Sequence, residues 1–415
     1  MRTSDPFEDV KVDPRRTVSL TVAVLVALAV GAVFFPTQAA VIGVIVALFV
    51  MIMLHEFGHF ITAKKSGMKV TEFFVGFGPR LWSVKRGETE YGVKAVPLGG
   101  YCRIIGMTNL EEVAPEDEPR AYRNKRTGPK VLVAGAGPAT HFVIAIILMF
   151  VVLFFAGDYR NQHATLTLAQ TSQGAAAAGL RAGDTILAIN GKPVTQWTDV
   201  QSLINPPNNP AHPGDVVRFL VQRDGSEITV PVTLQASTQP GDTRVIAGVS
   251  PHITVPHPGL VTSVVRAPKE VAEVGWDSMK AIGGMFSPAG ISNYFRILSG
   301  DTSSHTNQAN RFVSPVGVAG VASDAVKAGW VSVVALLLSI NIFVGLFNLL
   351  PLLPFDGGHI AIALYEQVAS TVRRRKVRVD AAKLLPITVA VVAVLGFVFL
   401  SSLFLDITHP LANPF

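Results

Sequence analysis

The sequence predicts a polytopic α-helical membrane protein of about five membrane segments, with an inserted α+β domain outside the membrane and a small cytoplasmic or membrane-associated β hairpin. Three observations carry this. Mean hydropathy is +0.42, and only 15% of residues are charged, against roughly 25% in soluble chains. Apolar runs near the length that spans a bilayer, about 20 residues, recur along the chain. The Lys and Arg residues collect beside those runs, as orientation in a membrane requires. The net charge of +6 therefore belongs to the membrane flanks, and a nucleic-acid partner is excluded. Cys102 is the one cysteine of the 415 residues, so there is no intramolecular disulfide and no cysteine-based zinc cluster.

The apolar runs are Thr17 to Phe35, Ala39 to Ala63, Val131 to Ala156, Trp330 to Leu353 and Leu385 to Leu405. Arg15 and Arg16 before the first run, and Thr37-Gln38-Ala39-Ala40 after it, also suit a cleavable signal peptide. A second run begins at once, and we read the first as a retained helix. Arg2, Lys11, Arg15 and Arg16 flank the first run; Lys64, Lys65 and Lys69 follow the second; Arg373, Arg374, Arg375, Lys376 and Arg378 separate the last two. Placing all of these in the cytoplasm puts the stretch from Gly157 to Gly329 outside.

At the end of the second run lies His55-Glu56-Phe57-Gly58-His59. Residues i and i+4 share a helix face, so His55 and His59 can offer two imidazole nitrogens to one metal, with Glu56 beside them as general base. A chance match would leave a glutamate uncompensated at membrane depth, at a cost of a few kcal/mol.

A third ligand is expected from Asn348-Leu-Leu-Pro351-Leu-Leu-Pro354-Phe-Asp356-Gly357-Gly358-His359. Two prolines and two glycines force the chain out of helical form, and non-helical backbone at this depth needs protein or a water-filled cavity around it. Asp356 then completes a His-His-Asp zinc site with a fourth position for water. Asn348 is expected to donate to a developing oxyanion or to substrate backbone, and Pro351 and Pro354 to line the substrate path. The competing role for Asp356 is an N-cap of the segment from Gly357 to Ser370. His359 is expected beside the site, not as a ligand.

The two motifs, in this order and each in an apolar segment, resemble the site-2 protease family of intramembrane zinc metalloproteases, in its bacterial form with a PDZ module. The resemblance implies that His55, His59 and Asp356 bind Zn2+ and that Glu56 is catalytic. It implies residence in a bacterial inner membrane, with the active site toward the cytoplasm. The implied substrate is a single-pass membrane protein: an anti-sigma factor already trimmed outside, or a remnant signal peptide.

The likeness extends over most of the chain. Phe74 to Pro79 and Glu90 to Tyr101 resemble segments that follow the metal helix in bacterial members. Alternation from Tyr91 to Ala95 suits a strand, with Pro97 and Gly99-Gly100 at its turn or edge. An exposed edge at Gly92, Val93, Lys94, Ala95 and Val96 would hold an unwound substrate through backbone hydrogen bonds; a plain hairpin is the alternative. Gly135-Ala-Gly137-Pro138-Ala-Thr-His141 resembles the start of the next core helix, with His141 where asparagine is usual. That departure reads as a metal-proximal or pH-sensitive variation, or as a tolerated polar residue.

Gly179-Leu180-Arg181-Ala182-Gly183-Asp184-Thr-Ile186 continues to Ile189-Asn190-Gly191 and resembles the bacterial PDZ pattern throughout. Asn190-Gly191 is a hairpin signal, and Val216 to Gln222, Asp224-Gly225 and Glu227 to Leu234 form a second hairpin. The PDZ-like domain would capture a peptide C-terminus or exclude bulky external domains. Lys269 to Lys280 suggests an amphipathic helix on the outer surface, with Trp276 at interfacial depth. The expected domains are 1–66 (extra helix and metal helix), 67–130 (β region), 131–157 (core helix), 158–255 (PDZ-like), 256–329 (membrane surface) and 330–415 (C-terminal core). The alternative function is a zinc-binding PDZ scaffold or chaperone without catalysis, for which Glu56 would be dispensable.

Overall fold

The computed structural model describes residues 36–205, 211–237, 245–300 and 311–409. The expected helix from Thr17 to Phe35 lies outside them. Contacts divide the chain into one unit built from residues up to Val152 and from Val261 on, and a second unit, Leu153–Leu260.

In the first unit, four helices among the described residues are long and apolar enough to cross a membrane. They are α1 (Pro36–Lys65), α2 (Thr127–Val151, continued by a π turn at Val152–Ala156), α8 (Trp330–Asn348) and α10 (Ala381–Thr408). Helix α1 ends with Lys64 and Lys65 in its last turn, where cations complement the exposed carbonyls. Helix α2 is the hub against which α1, α8 and a further helix, α9 (Asp356–Arg373), all pack. Glycine allows the closest approach. A Cβ on Gly58 would stand 2.8 Å from the carbonyl oxygen of Ala136 and 2.7 Å from Thr140 Oγ1.

Between α1 and α2 run β1 (Val70–Arg86) and β2 (Thr89–Ile104). They form more than the hairpin expected. The start of β1 pairs on one side with the end of β2, Phe73 opposite Cys102 and Val75 opposite Gly100, and on its other side with the start of β2, Phe73 opposite Tyr91 and Val75 opposite Val93. The end of β1 then folds back onto the start of β2, Ser83 opposite Gly92. Four passes lie in the order 100–104, 70–75, 89–96, 80–86.

This corrects the expectation of an exposed edge at Gly92 and Val93. Gly92 and Val93 have partners on both sides, while Lys94 and Val96 pair with Arg80 and Phe77. A Cβ on Gly92 would clash with Trp82 and Phe74. The sheet's edges are 80–86 and 100–104. The reason is the bend at Gly99 (φ 133°), which carries β2 across to the far side of β1 where the sequence suggested that the strand ended.

The loop from 105 to 126 is tied down by charge. Glu88 accepts from Arg120 at 2.6 and 2.9 Å and from Lys64 at 3.2 Å, and the Arg120 guanidinium holds its carboxyl down at about 2. Lys69 pairs with Asp117, and Arg123 with Glu118. Met68, Val70, Ile104, Tyr122 and Val133 then join sheet, loop and α2 in one apolar cluster.

The second unit is an antiparallel sheet. Its strands are β3 (His163–Thr171), β4 (Thr185–Ile189), β5 (Lys192–Pro193), β6 (Val216–Arg223), β7 (Ser226–Thr233), the short pair β8 (Gln235–Ala236) and β9 (Val245–Ile246), and β10 (Val249–Thr254). The main order is β10-β3-β4-β6-β7, with β5 on β4. Helices α3 (Gln173–Ala177) and α4 (Trp197–Ile204) belong to it. Both expected hairpins form at residues of positive φ, Asn190-Gly191 (49° and 74°) and Asp224-Gly225 (50° and 81°), the backbone that tight hairpin turns need. Phe219, Ile186, Ile189, Leu168 and Val232 fill the core. Asp184, almost wholly buried, accepts from Arg223 at 2.7 and 2.6 Å and from the Arg181 amide at 2.8 Å; the Arg223 guanidinium holds its carboxyl below the usual range.

The first unit also holds α5 (Leu260–Met285), the long helix around the expected Lys269–Lys280 segment with Trp276 exposed, and α6 (Pro288–Leu298) and α7 (Pro315–Ala328). Helix α7 packs on α1 and α10. Ser314 caps it, accepting from the Gly317 amide at 3.3 Å, and Asp406 of α10 accepts from Arg311 at 2.8 Å and from the Ser314 amide at 2.7 Å.

Candidate metal centre

His55 and His59, one turn apart on α1, are both buried. Their Nε2 atoms stand 3.2 Å apart, and each lies 3.3 Å from Oδ2 of Asp356. Among the described residues these three form a group able to hold a metal ion. The near-equilateral triangle has a physical meaning. Ligand atoms at about 2.0–2.1 Å from a tetrahedral zinc are about 3.3–3.4 Å apart, so the three donors already occupy one face of such a tetrahedron.

Hydrogen bonding fixes the role of His59, while His55 Nδ1 is buried without a partner. The carbonyl of Val133, on α2, only accepts, so His59 Nδ1–H donates to it at 2.7 Å, leaving Nε2 as the lone-pair face. Asp356 Oδ2 is buried with no hydrogen-bond partner. A carboxylate oxygen and an imidazole lone pair turned onto one point repel each other unless a cation lies between them, and two nitrogens with one oxygen suit zinc. The residues fit the ion.

Three local features deliver Asp356. Helix α8 stops at Asn348, the turn from 349 to 355 contains Pro351 and Pro354, and α9 starts at Asp356 itself. The N-cap position is Phe355, without a side-chain bond, so the aspartate is not the N-cap. Gly357 and Gly358 are needed because the turn folds back on them: a Cβ on Gly358 would lie 2.7 Å from Leu353 N, and one on Gly357 would strike the Leu349 carbonyl.

Glu56 is half-buried. Burial first, and then the Glu56 charge, pushes the Cys102 thiol up to about 12. The 100–104 edge therefore abuts the Glu56 side of α1. Gly100 packs there too, where a Cβ would stand 2.6 Å from Met53 Sδ. Asn348 is half-buried at the end of α8, and its side chain makes no hydrogen bond among the described residues. Of the expected substrate contacts, Gly92 and Val93 are paired on both sides and Lys94 and Val96 on one, and Lys94 Nζ lies 4.9 and 4.8 Å from the ring centres of Phe74 and Tyr101. His359 sits against Tyr122, ring centres 6.2 Å apart, outside the His-His-Asp group.

The structure adds residues that the motifs did not mark. A Cβ on Gly137 would stand 2.6 Å from His55 Cε1, 2.7 Å from its Nε2 and against His59 Nε2, so only glycine leaves room for both rings under α2. His141 is buried, its ring centre 5.1 Å from that of His55. Asn341 Nδ2 donates to the Leu337 carbonyl at 2.8 Å, so its Oδ1 is left to accept from His141 Nδ1–H at 2.9 Å. His141 thus stands beside His55, bonded to Asn341. Only the departure from asparagine at 141 hinted at this pair; nothing local marked Asn341.

Comparison with known proteins bears on the same residues. The profile of Peptidase family M50 matches residues 43–395. The chain belongs to peptidase family M50. Zinc metalloprotease Rip1 of Mycobacterium tuberculosis is 33% identical to this M50 peptidase over 405 residues, covering 89% of this chain and 96% of that protein. Zinc metalloprotease Rip1 of Mycolicibacterium smegmatis is 33% identical over 404 residues, covering 88% and 96%. The M50 peptidase is a zinc metalloprotease with membrane-type helices.

Proposed function

We propose that this M50 peptidase hydrolyses a peptide bond in or near the membrane helix of a single-pass protein, with His55, His59 and Asp356 as the zinc ligands and Glu56 as the general base. The observation that carries this reading is the triangle of 3.2, 3.3 and 3.3 Å between the three donor atoms. Zinc bound there supplies a Lewis acid for the scissile carbonyl and lowers the pKa of the attacking water. Glu56 takes the proton of that water and returns it to the leaving amine. Asn348, with its amide uncommitted, donates to the developing oxyanion.

A helical substrate shields its own peptide bonds, so it must unwind before attack. The edge of the sheet at 100–104, whose Gly100 packs against Met53 of α1, takes up the extended segment by strand addition, with Pro351 and Pro354 along the substrate path. The sheet unit from Leu153 to Leu260 acts as a PDZ-like domain on the outer face, receiving a freshly cut C-terminus or excluding bulky external domains. The basic ends of the helices lie in the cytoplasm, and the substrate class is an anti-sigma factor or a remnant signal peptide in a bacterial inner membrane.

The test is a cleavage assay in membranes against single-pass candidates, with wild type beside Glu56→Gln. The variant should lose at least about 100-fold in turnover while keeping its zinc. Undiminished activity in that variant would leave a zinc-binding scaffold as the function.

A further inference from the structure

The first unit carries a groove of about 770 Å³ that the protease reading does not use, within the ~300–1,000 Å³ range of small-ligand sites. It opens between the start of α2 and the segment that joins α9 to α10. Its charge is one-sided. Lys125, Arg126, Arg374, Arg375 and Lys376 line it, and none of them makes an ion pair with another described residue. The carboxylate in the lining, Glu366, is already committed: it accepts from Lys130 Nζ at 2.8 Å and from the Val379 amide at 3.0 Å.

Two further observations give the groove a ligand chemistry. Helix α2 begins here with Arg126 at the N-cap and no capping side chain; Pro129 carries no N–H and the Lys130 amide bonds the Arg126 carbonyl at 3.3 Å, so the Thr127 and Gly128 amides are the ones left without a helical acceptor. The space before them is open, since a Cβ on Gly128 would meet nothing within 4 Å. The groove also stands where two candidate membrane spans begin, Thr127–Ala156 and Ala381–Thr408, which is the depth of lipid headgroups.

We propose that this groove binds the phosphate headgroup of an anionic phospholipid. Basic residues that only orient a chain in the membrane need no concavity and no open helix N-terminus beside them. Here both are present, and basic pockets between membrane helices are a recurrent form of anionic headgroup site. The headgroup bridges the end of α9 and the beginning of α2, the two helices that carry Asp356 and the Val133 carbonyl. The inference does not depend on the proposed substrate, and its test reads lipid binding, not turnover.

The purified full-length protein in uncharged detergent is titrated with fluorescent cardiolipin, with phosphatidylcholine and sodium pyrophosphate as competitors. Three proteins are compared: wild type, Arg374→Gln/Arg375→Gln/Lys376→Gln, and a control of equal charge loss outside the groove, Lys65→Gln/Lys85→Gln/Arg86→Gln. Each cation beside an anionic headgroup is worth roughly a fivefold factor, so the groove variant should bind at least tenfold more weakly and the control within about twofold of wild type. Gly128→Asp, which puts a carboxylate into open space, should weaken binding likewise without removing a cation. Neither competitor should displace the lipid at equal concentration. Equal losses in both triple variants would reduce the groove to diffuse surface charge, and displacement by pyrophosphate as effective as by lipid would make it a site for free phosphate; either result overturns the proposal.

Discussion

The two units handle apolar and polar side chains in opposite ways. In the sheet unit Phe219, Ile186 and Ile189 are fully buried, and burial alternates along the strands, as in β6, where Val217, Phe219 and Val221 face inward and Arg218 and Gln222 outward. In the helical unit the large apolar side chains point outward along whole helices, with Val389, Val392, Phe397 and Leu400 of α10 all exposed, while His55, His59, His141 and Asn341 are buried. Water drives the first arrangement through burial of apolar area. Lipid offers no such gain, so close approach through glycine and polar bonds hold the second together. Polar groups inside it need a reason. Asp184 in the sheet unit is satisfied by Arg223, whereas Asp356 Oδ2 in the helical unit has no hydrogen-bond partner.

The contrast can be sharpened by perturbing each unit alone. Phe219→Ala should cost the sheet unit about 3–5 kcal/mol, exposing it to proteolysis while zinc stays bound; zinc loss in this variant would show the two units to be coupled. Gly137→Ala removes no ligand, yet its methyl group collides with both imidazoles. It should cost about 1–3 kcal/mol and lower zinc content, and unchanged zinc would mean that α2 moves aside freely.

Acid should act on the sheet unit through Asp184. Its carboxyl is held below the usual range, chiefly by Arg223, so the stabilisation is complete above the ordinary aspartate value, about 3.9, and is lost as pH falls through the lower folded value. Unfolding followed by near-ultraviolet circular dichroism should show this acid limb, flattened in Asp184→Asn. The smallest effect is expected at the lipid-facing surface, where Val392→Ala, about half exposed, should stay within about 0.5 kcal/mol.

Much of this was legible in the sequence because its signals are local. Length and hydropathy mark the four described spans, Asn190-Gly191 and Asp224-Gly225 mark the hairpins, and the two motifs place His55, His59 and Asp356, which the structure brings together. What escaped was tertiary. Pro97 and Gly99-Gly100 read as the end of a strand, yet β2 continues through them and switches sides of β1, because glycine permits the bend that a local pattern takes for a stop. Gly137 and the Val133 carbonyl matter only because α2 crosses α1 at His55 and His59, and Asn341 only because it faces His141 from another helix. No residue-by-residue pattern carries a crossing point.

The most direct test is the zinc content of the purified full-length chain. One zinc per chain is expected in wild type, lost in Asp356→Ala and kept in His359→Ala, whose histidine stands outside the His-His-Asp group. Zinc retained without the Asp356 carboxylate, or lost with His359, would contradict the ligand set on which the account rests.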